Sequence, residues 1–292
     1  MRRSSFWFAS FLLEKCVIAL FVQALFCVQF GTTWAADDQT APPEQPAITA
    51  ESYAKSFAYL GRSPDINFRK VEEGIASDGT NRFLIYRRNI LKVDSSWTNV
   101  LAVNDAPLSG LKGYDHLGAG EYYQGKLYIA AEAYHGCDHV TNQSICIYDA
   151  NSLKRLSTIS VSNSTSEVSA LTMVTNSGSG GVMFVSNFCD DSKLYKFNAS
   201  DFSFQGTLPL DQSVPKLQGV AYYNGLLYAV TDSGTNGVVY DIDPKTGHTR
   251  KLAFLTFPHG KEVEGCLFDK DRLEVLVASH TNHFNYVYYF SP

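Results

Sequence analysis

The sequence predicts an all-β, five-bladed β-propeller of four-stranded blades, its ring closed by an N-terminal strand that joins the last blade. Three observations predict it. A hairpin module recurs every 43 to 51 residues, the period of propeller blades. Each copy holds short runs of β-branched and aromatic residues set off by Gly, Asn or Asp turn signals. The last copy stops one strand short at Pro292, so another part of the chain has to complete it.

Taken in order, the chain opens with a positive Met1-Arg2-Arg3, an apolar stretch Phe6–Leu13, the interruption Glu14-Lys15, and a second apolar run Cys16–Phe30. The run is short for a membrane span, which needs about 20 residues. Thr33 and Ala35 supply the small residues that precede a signal-peptidase cut, so residues 1–35 are expected to be a signal peptide, the alternative being an uncleaved anchor. Leu25-Phe26-Cys27 lacks the small residue of a lipoprotein signal. Residues 36–62 read as a Pro-rich polar linker carrying a short helix over Thr49–Leu60, capped by Thr49 and stopped by Gly61. Residues 63–292 form the propeller.

Gln218–Val230 shows the module most clearly. Strands over Gln218–Tyr223 and Leu226–Thr231 flank Asn224-Gly225, which accommodates the positive φ of a tight hairpin. Val238–Asp243 and Thr249–Leu255 follow as third and fourth strands. Other copies begin at Glu73, His116, Glu167 and Glu264. In the last copy Val263–Phe268, Leu273–Ser279 and Tyr286–Phe290 are strands, and Ile66–Val71 is the segment free to supply the fourth.

The net charge is −5 and no Lys/Arg run follows Arg2-Arg3, which argues against nucleic acid. No Gly-x-Ser-x-Gly elbow and no Gly-rich phosphate loop opening a helix is present. Cys137, Cys146, Cys189 and Cys266 follow the signal segment, an even count that suits an exported, disulfide-bonded chain. Cys137 and Cys146 flank one loop at the two ends of a hairpin and are the expected pair. Cys189 and Cys266 are either buried thiols or a second bond. His135 and His139, in or beside that loop, read as surface residues. Sequons stand at Asn142, Asn163 and Asn198.

The openings Glu73-Gly74-Ile75-Ala76, Gln218-Gly219-Val220-Ala221 and Glu264-Gly265-Cys266-Leu267 resemble secreted propellers of the glutaminyl-cyclotransferase-like and lactonase-like groups. The resemblance covers residues 66–292 and lies in fold-determining positions. Its cyclotransferase side implies a pocket lined by aromatic residues including Trp; beyond the signal segment this chain has only Trp97. Its lactonase side implies a divalent metal, usually Ca²⁺, held by acidic and amide side chains where the innermost strands begin.

In a propeller the start of each innermost strand and the end of the next lie around one mouth of the central channel. The first set is Glu73, His116, Glu167, Gln218 and Glu264; the second is Arg87 or Arg88, Glu132, Asn187, Asp232 and His280. Crowded carboxylates need a cation, a proton or buried donors. Glu73, Glu167, Gln218 and Glu264 are the candidate Ca²⁺ ligands, His116 and His280 the candidate general bases, and Glu132, Asn187 and Asp232 the candidate ligand-binding residues. A purely structural, solvated polar ring is the competing reading.

Two function classes follow. One is an exported binding or scaffold propeller that holds a small molecule, glycan or protein at the channel mouth. The other is a calcium-dependent hydrolase of lactone or ester type, with a glutaminyl-cyclotransferase-like enzyme as a third reading. A monomer is expected, in contact with a membrane only if the N-terminal segment is retained.

Overall fold

Each module folds as expected into an antiparallel meander. The structure, a computed structural model, describes residues 51–52, 57–68, 73–175, 180–234, 236–256, 261–279 and 285–292. The expected signal peptide and most of the linker therefore lie outside the described residues. Two short strands come first, β1 (Glu51–Ser52) and β2 (Ala58–Arg62). Blade one is β3 (Gly74–Ser77), β4 (Asn81–Tyr86), β5 (Asn89–Asp94) and β6 (Val100–Asn104). Blade two is β7 (His116–Tyr123), β8 (Lys126–Tyr134), β9 (Val140–Asp149) and β10 (Arg155–Ser160). Blade three is β11 (Leu171–Val174), β12 (Val182–Val185), β13 (Lys193–Asn198) and β14 (Phe204–Pro209). Blade four is β15 (Leu217–Tyr223), β16 (Leu226–Asp232), β17 (Asn236–Ile242) and β18 (Thr249–Thr256). Blade five holds β19 (Lys261–Asp269), β20 (Arg272–Ser279) and β21 (Tyr286–Ser291), completed by β2. Asn224 and Gly225 have φ of 48° and 89°, so the Asn-Gly hairpin of blade four forms as read.

The core lies between blades. Five apolar clusters form, one for each junction of neighbouring blades. Alternation in each strand sends successive side chains to opposite faces, so every blade feeds both of its neighbours. Leu227 and Ala229 of β16 pack toward blade three, while Tyr228 and Val230 pack toward blade five.

Two N-terminal expectations are corrected. The closing strand is β2, not Ile66–Val71; Tyr59 pairs with Phe290 and Arg62 with Tyr288, while Ile66 makes only an isolated bridge to Asn285. Aromatic packing decides the register. Phe57 stacks on Phe290 at 5.1 Å, and Tyr59 packs against Tyr288 and Phe290. The helix over Thr49–Leu60 is replaced at its described ends by strands, since Ala58–Leu60 belongs to β2 and β1 pairs with β18 as a fifth strand of blade four. Open ladder positions on β18 and β21 offer backbone partners that outweigh a short, weakly capped helix.

Ring closure also has a polar lock. The Arg82 guanidinium, 2% exposed, donates from Nε and Nη2 to the two carboxylate oxygens of Glu274 at 3.0 and 2.9 Å, and from Nη2 to Asp269 at 2.5 Å. This ties β4 of the first blade to β19 and β20 of the last. Trp97, buried beside it, donates to the Tyr289 hydroxyl at 3.2 Å. Removing one member leaves an uncompensated buried charge. Arg82→Met should lower the unfolding free energy by about 3–5 kcal/mol, read from urea titration. A loss under 1 kcal/mol would show that the lock does not hold the ring.

Candidate functional site

Glycines shape the channel before any polar residue does. A Cβ on Gly74 would lie 2.5 Å from the Ala119 Cα, and one on Gly118 would lie 2.3 Å from the Ser169 carbonyl oxygen. One on Gly219 would lie 2.6 Å from the Cys266 nitrogen, and one on Gly265 would lie 3.1 Å from the Gly74 Cα. These contacts join four of the five blade junctions at the axis and form a collar. The residues just before the collar line a cavity of about 70 Å³. Those just after it line a second cavity of about 150 Å³ at the other end.

Glu73, His116, Glu132, Glu167 and Gln218 converge on the first cavity, together with Tyr134, Phe188, Val168 and Ser169. Backbone irregularity helps to aim them. The register of β15 shifts between Leu217 and Gly219, and that of β19 between Val263 and Gly265. Gln218 and Glu264 are thus the extra residues of bulges, a device that redirects side chains.

Glu132 and Glu167 form the chemical centre. Glu132 accepts from the Val168 amide at 2.9 Å, and Glu167 accepts from the Phe188 amide. Both are 2% exposed. Burial pushes the Glu132 carboxyl up to about 7 against the pull of the Val168 amide and His116. Burial, and then the Glu132 charge, push Glu167 well above the usual carboxylate range. The two carboxyls interact electrostatically, the Glu132 charge favouring the protonated form of Glu167. Beside them His116 Nε2 lies 3.3 Å from Glu73 Oε2.

Two buried polar atoms at this mouth have no hydrogen-bond partner among the described residues, His116 Nδ1 and Glu264 Oε2. Glu264 is held well above the usual range by burial and then by the Glu73 charge. Asp232 and Asn187 serve loops instead. Asp232 accepts from the Gly234 and Val263 amides. Asn187 accepts from Cys189 and Asp190 and donates to Ser166. His280 lies outside the described residues.

The residues of the expected Ca²⁺ set are partly engaged by other groups. A hard cation needs six to eight oxygens; of the expected set, Glu167 accepts from the Phe188 amide and Glu73 faces His116, while Glu264 Oε2 is unpaired. No group of three or more His, Cys, Asp or Glu among the described residues is arranged to hold a metal ion.

The disulfide expectation is also corrected. Cys137 bonds to Cys189, with Cα atoms 5.6 Å apart, and Cys146 is a buried free thiol. Cys146 lies within β9 and its side chain points into the core between blades one and two, out of reach of the loop that carries Cys137. The bond spans 52 residues, a separation for which loop closure stabilises by about 4 kcal/mol. It joins the loop after β8 to the loop after β12 and so holds the cavity's aromatic rim. Phe188 adjoins Cys189, and its ring meets Tyr134 edge-on at 6.4 Å. Tyr134 in turn meets His116 at 5.6 Å. Sequence reasoning missed both rings; the aromatic positions at the end of β8 and after β12 were the available signal.

Comparison with known proteins places the chain more firmly. A family model described as a repeat of unknown function (DUF6923) matches residues 122–268, half of the chain. The chain belongs to the DUF6923 family. No curated protein matches it. Among solved structures, Myxococcus xanthus glutaminyl cyclase superposes with a TM-score of 0.58 at 13% identity, covering 80% of this chain and 95% of that one. A luciferin-regenerating enzyme gives 0.49 at 15%, covering 84% and 96%. The expected resemblance to the cyclotransferase-like propellers is borne out as a shared fold. Trp97 sits at the ring-closure lock, so this DUF6923 cavity has Tyr134 and Phe188 as its aromatic walls.

The raised carboxyls give a pH dependence with a definite sign. The folded state keeps protons that the unfolded chain, near the ordinary 4.5, releases. The Glu132 contribution to stability is therefore full below pH 4.5 and is lost as pH rises through about 7, and that of Glu167 changes in the same direction. Glu167→Gln, which imitates the protonated acid, should gain on the order of 1–3 kcal/mol relative to the parent between pH 5 and pH 8. Chemical denaturation at the two pH values checks this; a constant difference would mean that Glu167 takes up no proton on folding.

Proposed function

We propose that this protein is an exported propeller that binds a small ligand at the channel mouth, through an amine or amide group that enters the cavity beside Glu132 and Glu167. The observation that carries this reading is the unmet buried His116 Nδ1 in a cavity it shares with two buried carboxyls, Glu132 and Glu167, both pushed toward their protonated forms. A bound N–H donor relieves the acid pair, and an ammonium displaces its proton. Tyr134 and Phe188 supply an apolar wall for the carbon attached to that nitrogen. Export is supported by the Cys137–Cys189 bond, which suits an oxidising compartment.

A second reading is cyclisation of N-terminal glutamine, favoured by the fold shared with a glutaminyl cyclase and by the acid pair. In that reaction the α-amine attacks the side-chain amide carbon and the bond to the departing ammonia breaks. A proton passes from the attacking to the leaving nitrogen, a transfer that Glu132 and Glu167 are placed to relay.

Calorimetric titration with glycinamide at pH 7.5 tests the binding reading. The expected result is saturable binding with release of a proton, weakened at least tenfold by Glu132→Gln. Absence of binding, or unchanged affinity in the variant, overturns it. Ca²⁺ is the control: tight Ca²⁺ binding that Glu73→Gln and Glu264→Gln both abolish would replace it by the metal-dependent hydrolase. Turnover of a peptide with N-terminal Gln separates the enzyme from the binder.

A further inference from the structure

The lip of this cavity has the opposite charge from its interior. β4 ends at Tyr86 and the chain turns through Arg87 and Arg88 at the mouth. Their Nη2 atoms lie 3.6 and 3.8 Å from the Asp115 carboxylate, and His135 Nε2 lies 3.9 Å from the same oxygen. Both Arg Nε atoms donate to the Asp115 carbonyl, at 3.4 and 3.2 Å, and Arg87 Nη2 donates to the Tyr134 carbonyl at 3.4 Å. Asp115 and His135 are the chain neighbours of His116 and Tyr134, which line the cavity. The positive cluster thus begins one residue along the chain from the cavity wall.

The charges at the lip do not balance. Two guanidinium groups face one carboxylate, and Asp115 Oδ1 also accepts from the Tyr134 amide. The Arg side chains are 46% and 67% exposed, which leaves N–H groups of both forks toward solvent. A guanidinium fork matches a planar carboxylate. Immediately below lie Glu73, Glu132 and Glu167.

We infer that the ligand is dipolar: a carboxylate held by Arg87 and Arg88 at the lip, with an amine or amide a few bonds away inside the cavity, as in amino acids and very short peptides. This rests on the binding reading above and specifies the other end of the ligand. A neutral amine meets half of such a site. A simple dicarboxylate meets the Arg pair but brings its second charge against the acid pair.

Three probes titrated into the full chain test it: glycylglycine, glycylglycinamide without the carboxylate, and N-acetylglycylglycine without the amine. Glycylglycine is expected to bind at least tenfold tighter than either of the others. In the double variant Arg87→Gln/Arg88→Gln, whose exposed side chains leave the melting temperature unchanged, the gap between glycylglycine and glycylglycinamide should close. Equal affinity of those two, or a gap that survives the double variant, overturns the inference and leaves the amine reading standing. N-acetylglycylglycine binding as tightly as glycylglycine overturns the amine reading and the dipolar ligand with it. Absence of binding by all three overturns both.

Discussion

Backbone contact at the axis is the constraint on which the rest of this propeller depends. Five innermost strands can meet only where side chains are missing, and Gly74, Gly118, Gly219 and Gly265 supply those places. A single methyl at Gly74 or Gly219 would fall under 3 Å from main-chain atoms of the neighbouring blade, a separation that forces the blades apart. Close approach at the collar lets the five inter-blade clusters fill. Cavities lie on either side of the collar, one lined by residues before the glycines and one by residues after them.

The polar residues acquire their character from those cavities. Glu73 and Gln218 stand immediately before collar glycines, so a tight collar leaves them in the wall of a small cavity. In an open channel Glu132 and Glu167 would be hydrated and ionised. Here burial outweighs the backbone amides that each accepts and favours the protonated forms. The same physics operates at the far end. Glu121, which lines the second cavity, accepts from the Met173 amide yet is pushed by burial up to about 7.

Ring closure and site assembly use different forces. The junction of the first and last blades combines apolar packing with the Arg82–Glu274–Asp269 network, buried and far from the mouth. The junction of blades two and three carries the disulfide, and that bond sits at the cavity rim. Covalent restraint is thereby placed where loops, which bury little, have to hold Tyr134 and Phe188 in position. Charge is arranged across the same rim, with Arg87 and Arg88 above and carboxyls below.

Much of this was legible in the chain itself. The period of the modules, the turn signals and the missing last strand together determined a five-bladed ring, because such local patterns report directly on alternation and pairing. They also indicated the region where each innermost strand begins, and Glu73, His116, Glu167 and Gln218 do line one cavity. The tertiary structure alone decided how those residues are buried and paired. Whether carboxyls hold a metal or a proton depends on distances and desolvation between blades some fifty residues apart in sequence. Cys137 found Cys189 because the ring sets two distant loops side by side, while alternation in β9 turned Cys146 inward. β2 closed the last blade because Phe57 and Tyr59 meet Phe290, a contact no local pattern encodes. Local propensity specifies the strands; packing at the axis specifies the chemistry.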